Sequence, residues 1–176
     1  MKFIVNIIFL LIVICLIGYG FAYSGIYNVS ATVPNSEFMK ELFKIAIKRS
    51  VKRHAKDIVV PDLSEQDKIE KGYVHYKDMC AGCHGAPGVE GAEGFNPSPP
   101  DLAEKAEDWG PAELFWITKN GIKMTGMPSF GHDHSDEEIW DIVAFLKKLP
   151  EITPKDYKGM EEKLKDHVHE HKIFTF

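Results

Sequence analysis

Residues 80–84 read Cys80-Ala81-Gly82-Cys83-His84, and the fold of the whole chain turns on what this group is for. It takes two of the three cysteines in a chain of 176 residues and sets a histidine beside the second. Such a group can ligate a metal, cycle as a redox dithiol, or hold a haem by two thioethers with the imidazole on the iron. A structural zinc site needs four ligands, usually a second cysteine pair or a paired histidine. The remaining cysteine is Cys15, alone in an apolar run. His132 and His134 would complete a set of four, but His-x-His is not the usual spacing and His84 would be left without a role. A thioredoxin-type dithiol normally follows a strand in an alternating strand and helix pattern, and no such pattern is visible here. Haem attachment uses all three residues: thioethers from Cys80 and Cys83, with His84 placed to bind iron.

Upstream, SEQDKIEKGYVHYKDMC has Gly72, Tyr76 and Cys80 at every fourth position, with Ser64 available as a helix N-cap. The spacing predicts a helix ending near Cys80, with Gly72 and Tyr76 on the face that leads to it. Some forty residues further on stands NGIKMTGMPSFGH. Gly121, Gly126 and Pro128 predict an extended loop between two helices, suited to carrying Met124 or Met127 across a flat cofactor. Met more often packs in a core, but these two lie in a glycine-rich loop and not on a helical stripe.

The length allows one compact domain with additions. The first addition is Phe3 to Tyr23, 21 residues without a charge. As a helix it would span about 30 Å, enough to cross the hydrocarbon core of a bilayer. A cleaved signal peptide is the rival, since Ala22-Tyr23-Ser24 and Val29-Ser30-Ala31 both resemble cleavage sites. The run is longer than an ordinary signal core, so an uncleaved anchor is expected, with Cys15 as an apolar side chain within it.

Charge divides the rest. Ser36 to Ile58 carries seven basic and three acidic residues, whereas 62–150 carries 17 acidic and eight basic ones, a balance of −9. An acidic main domain argues against nucleic-acid binding. In the basic segment Phe38, Leu42, Ile45 and Val51, flanked by Phe43 and Ile47, predict an amphipathic helix capped by Asn35 or Ser36. Such a helix suits the membrane surface equally with a partner subunit or the chain's own acidic domain. Val59-Val60-Pro61-Asp62 predicts a linker.

Five stretches together resemble a class I monohaem cytochrome c: GYVHYKDMCAGCHG (72–85), NPSPPDL (96–102), LFWITKNGI (114–122), GMPSF (126–130) and SDEEIWDIVAFLKKL (135–149). The resemblance covers about Leu63 to Leu149 and implies one covalent haem c, with Cys80, Cys83 and His84 as attachment and ligand residues. It implies Met127, before Pro128, as the sixth ligand in preference to Met124. It also implies that a proline carbonyl supports the His84 imidazole, with Pro97, Pro99 and Pro100 all at a suitable distance, and that the first and last domain helices cross steeply. Gly72 and Tyr76 would then meet Ile142 and Phe145, with Trp140 as ordinary packing. Trp109 and Trp116 are candidates for the haem pocket, for a propionate contact, or for plain burial.

The expected fold is all-α, with a transmembrane anchor (1–24), a basic amphipathic helix and linker (25–61), a cytochrome c-like haem domain (62–150) and a C-terminal tail (151–176). Two axial protein ligands leave no open iron position, which implies single-electron transfer between respiratory redox partners, free or as a subunit of a complex. The resemblance places the haem domain on the periplasmic side of the cell inner membrane, because c-type haem is attached outside the cytoplasmic membrane. The alternative is a peroxidase-like enzyme or ligand sensor with a displaceable methionine, for which only His132 and His134 stand near as acid–base groups. Ser135 more readily makes their segment the start of the last helix. In the tail, His167, His169 and His171 suit a metal less well than a polar, partly ordered end.

Overall fold

The computed structural model describes residues 1–173, with side chains described through Lys163. It divides into two compact units, Met1–Asn35 and Ser36–Phe176. The first is built on α1 (Lys2–Tyr23), whose most apolar 18-residue stretch has a mean hydropathy of 2.7. None of its residues is buried, and it is long and apolar enough to cross a membrane.

In the second unit α2 (Glu37–Ala55) starts at Ser36, whose side chain accepts from the Met39 amide, one of the two caps expected. Lys52, Arg53 and His54 occupy its last turn, where cations complement the helix dipole. Its two halves differ. Phe38, Leu42, Phe43 and Ile45 are exposed, whereas Val51 and Ala55 are buried and His54 lies 5.5 Å from the Trp116 ring. The C-terminal half is therefore packed on the chain's own domain through α6 (Pro111–Asn120).

Next comes α3 (Gln66–His75), which starts later than Ser64 suggests. The Ser64 hydroxyl and amide instead both donate to the Asp62 carboxylate, so this serine closes a turn and caps nothing. A π-turn, Tyr76–Cys80, joins α3 to the short α4 (Ala81–His84). After a loop come α5 (Leu102–Lys105), α6, and α7 (Asp136–Lys148), the last opened by a capping box in which Ser135 and Glu138 satisfy each other's amides. Among the described residues there is no strand, only an isolated bridge between Ala86 and Val89.

The core forms where α3 crosses α7. Ile139, Ile142, Val143 and Phe145 line the buried stripe of α7, and Tyr73 and Tyr76 face Phe145 at ring separations of 5.6 and 5.1 Å. The crossing is close because position 72 has no side chain: a Cβ there would run into the Asp141 carbonyl and lie 2.9 Å from Phe145 Cβ. Phe145 thus meets both Gly72 and Tyr76, as expected, and the Asp141 carbonyl comes closer still to Gly72. Trp140 stacks on Phe115 at 4.2 Å, which is packing as expected.

The core continues past residue 150. In α8 (Pro154–Ile173) Tyr157 is buried edge-on to Tyr73 at 5.3 Å, Met160 packs beside it, and Glu161 pairs with Lys77. The histidines at 167, 169 and 171 lie outside the residues whose side chains are described.

Candidate haem site

The cysteine segment is positioned from both sides. On a helix of 3.6 residues per turn, side chains four apart drift steadily round the axis, and a wider π-turn takes up that drift. Here the π-turn falls between Tyr76 and Cys80, so Gly72, Tyr76 and Cys80 all remain buried. The Tyr76 hydroxyl then donates to the Gly85 carbonyl at 2.7 Å, tying the helix to the residue after His84. Gly85 has φ of 75°, and the loop it starts folds back so that the Ala92 amide donates to the Cys83 carbonyl at 3.0 Å. Gly91 passes so close to that carbonyl that a side chain would not fit.

His84 is half-buried, and its Nδ1 lies 2.8 Å from the Pro100 carbonyl oxygen. A carbonyl only accepts, so Nδ1 carries the proton and the lone pair sits on Nε2, free for a metal. Of the three prolines that sequence left open, Pro100 is the one in contact. Asp101 caps α5 directly after it, accepting from the Ala103 amide at 2.8 Å, and so fixes where the Pro100 carbonyl points.

Met127 is carried by a clamped loop. Its amide donates to Thr125 Oγ1 at 3.1 Å and its carbonyl accepts from the Ile122 amide at 3.2 Å. Further along, Ser129 Oγ donates to the Lys119 carbonyl at 2.7 Å and the Phe130 amide to the Thr118 carbonyl at 3.2 Å. Gly121, with φ of 67°, ends α6 where a Cβ would strike Met127 and Pro128 backbone, and Gly126 lies under the Phe95 ring. Met127 is half-buried, whereas Met124 is 85% exposed with φ of 61°. Burial and the clamp therefore favour Met127 over Met124 as the side chain held inward.

Electrostatics separate the rival uses of the cysteines. Burial, with a smaller contribution from Cys83, pushes the Cys80 thiol up to about 12, so the thiolate that dithiol exchange requires is scarce. Among the described residues no group of three or more His, Cys, Asp or Glu side chains comes together to hold a metal. His132 is exposed, and His134 packs against His75 and Phe130 at 5.7 and 5.9 Å, so neither completes a set with Cys80 and Cys83. Two thiols, an imidazole with a free Nε2, a soft thioether and glycines that keep both loops close make a donor set that fits a haem held by thioethers.

Sequence reasoning missed the Tyr76–Gly85 tie, the fold-back at Gly91 and the Phe95–Gly126 contact. GVEGAEGF (88–95) carried a signal for the last two, since glycines spaced this densely mark close backbone approach. Trp109 packs against the core, and Trp116 contacts His54 of α2. An open cleft of about 420 Å³ lies between the linker, α6 and α7, lined by Ile58, Trp116, Lys119 and Trp140 among others. None of Cys80, Cys83, His84 or Met127 lines it.

No curated protein matches the chain. The family model of cytochrome C oxidase, cbb3-type, subunit III, matches residues 67–146, which run from the first turn of α3 through most of α7 and enclose the whole of this geometry. Residues 67–146 are therefore a cytochrome c-type haem-binding domain, and its prosthetic group is a covalently bound haem c with its iron.

Proposed function

We propose that this chain is a membrane-anchored cytochrome that passes single electrons between respiratory redox partners on the periplasmic side of the cell inner membrane, alone or as a subunit of a respiratory complex. The carrying observation is the His84 Nδ1 contact with the Pro100 carbonyl at 2.8 Å, which fixes the tautomer with Nε2 free. In this reading Cys80 and Cys83 supply the thioethers, His84 one axial ligand and Met127 the other. The family match supports electron transfer, and a family of oxidase subunits points to an oxidase complex as the natural setting. The length and apolar character of α1 support a single-pass anchor covering about residues 1–24.

The haem, when bound, supplies one-electron redox chemistry, and the protein's part is to hold its surroundings still. Pro100 keeps the imidazole in one tautomer and orientation. The Thr125 hydroxyl braces the Met127 amide within its loop, and the Ser129 hydroxyl and Phe130 amide tie that loop to the end of α6. A thioether favours ferrous over ferric iron, so a positive midpoint potential is expected.

The test is the visible absorption of the oxidised and reduced holoprotein, wild type against Met127→Ala. A low-spin wild-type spectrum with the weak far-red band of a ferric sulfur ligand, lost in the variant, is expected. A high-spin wild type that shifts on adding cyanide or carbon monoxide would mean an open iron and would replace electron transfer with ligand binding or catalysis.

A further inference from the structure

The face of α2 turned away from the domain is a membrane-surface contact: we propose that Phe38, Leu42 and Ile45 enter the headgroup region of an anionic bilayer while the cations of the following turns lie among its phosphates. This rests on the reading of α1 as an anchor.

Three observations carry it. The first is geometric. Phe38, Leu42 and Ile45 stand at i, i+4 and i+7 and share one face. At 3.6 residues per turn the same stripe continues through Arg49, with Lys52 at its edge, whereas Val51 and Ala55, the buried contacts of α2, centre about 120° further round the axis. The helix therefore docks on the protein by one face and leaves a separate, apolar-then-basic face uncovered. Phe38 is 74%, Leu42 47% and Ile45 56% exposed, unusual for three large apolar residues in one row.

The second is charge. The acidic residues near the start of α2 are matched to neighbouring lysines, Glu37 to Lys40 at 2.6 Å and Glu41 to Lys44 at 3.5 Å. Lys48, Arg49, Lys52 and Arg53 are exposed and have no carboxylate partner among the described residues. Four uncompensated cations in two turns suit an anionic surface, where each is worth on the order of a fivefold change in binding constant. The acidic surface of the same domain suits it badly, so α2 is the part of this unit that such a bilayer would attract.

The third is reach. Thirteen residues, 24–36, separate the end of α1 from the start of α2, and even fully extended they span only about 45 Å. The apolar end of α2 is the end tied to the anchor. An anchored chain thus holds Phe38 at high local concentration near lipid, and an interfacial helix gains from both buried apolar area and attraction to anionic headgroups.

The experiment uses the full-length holoprotein in nanodiscs, with a nitroxide at Ile12→Cys, Leu42→Cys or Lys44→Cys in turn, each in a Cys15→Ser background. Collision rates with oxygen and with a water-soluble nickel chelate report depth. With phosphatidylglycerol present, labels at 12 and 42 should favour oxygen and the label at 44 should favour nickel. The signal at 42 should weaken in pure phosphatidylcholine, and in phosphatidylglycerol when Lys48, Arg49, Lys52 and Arg53 are all changed to Gln. A label at 42 open to nickel in both lipids, with 12 still in lipid, overturns the proposal and leaves the anchor standing. Shielding of 42 from both reagents means a protein covers this face, which also overturns it. A label at 12 in water removes the anchor and with it the tether on which the proposal stands.

Discussion

A methyl group at position 72 has nowhere to go, because the Asp141 carbonyl already occupies the space a Cβ would need and Phe145 Cβ closes it from the other side. Backbone and a packed aromatic cannot swing aside as a lysine tip would, so the α3–α7 crossing itself must open. Gly72→Ala is expected to cost about 3 kcal/mol or more, at the upper end of what overpacking costs, read as a lower urea midpoint of the holoprotein. A change under about 1 kcal/mol, within the range of tolerated core swaps, would show that the crossing is looser than described. That a glycine would sit in this contact was legible from its place four residues before Tyr76, because a helix face shared by glycine and an aromatic invites a close neighbour. Phe145 as a neighbour was legible too, but the Asp141 carbonyl as the nearest atom was not, since sequence periodicity does not say which backbone atom meets the glycine. Similarly, three prolines at comparable distances could each have supported His84, and only the folded path of the loop brings the Pro100 carbonyl to 2.8 Å.

At the scale of helices, α7 was the most legible element and α8 the least. Three acidic residues and then a dense apolar run after an N-capping serine announce α7, and the structure adds the reciprocal Ser135–Glu138 box. The region after Pro150 is rich in charge, and its attachment depends on Tyr157 and Met160, too few apolar residues to produce a periodic signal. The π-turn at Tyr76–Cys80 has no sequence signature either, because it follows from the demand that Tyr76 and Cys80 share an interior. The same crossing buries Asp141, only 4% exposed, which is the costly feature of this helix pair. Burial raises its carboxyl above the ordinary value, Lys71 offsets part of that rise, Glu137 adds to it, and Lys68 and His75 pull it down by less. The sign follows by linkage. A raised folded pKa means that the folded state keeps its proton where the unfolded state has lost it, so this group's contribution falls as pH rises above the usual carboxylate range. Asp141→Asn should therefore be more stable than wild type at neutral pH and should lose less stability between about pH 4 and 7. Parallel stability curves for the two proteins across that interval would mean that Asp141 has an ordinary carboxylate pKa in the fold.

Across the whole molecule charge is segregated, with 17 acidic and eight basic residues between 62 and 150 and the uncompensated cations of α2 before them. The segregation was fully legible, because charge is counted from the sequence and needs no fold. What the fold adds is that the cationic stretch belongs to the same compact unit as the haem domain, so a partner or a surface meets both signs on one body. An acidic electron-transfer domain should attract cationic partners at long range and repel anionic ones, and the attraction is screened within about 10 Å at 0.1 M salt. Stopped-flow electron exchange with small complexes of opposite sign isolates this effect, since neither reagent makes specific contacts. With a cationic ruthenium ammine complex the rate should fall on the order of tenfold from low to high salt, and with an anionic iron cyanide complex it should rise. Changing Lys48, Arg49, Lys52 and Arg53 to Gln makes the unit more negative and should steepen both slopes. Equal, salt-independent rates for the two reagents would mean that the region through which electrons leave is electrically neutral, and that the acidic residues serve solubility rather than encounter.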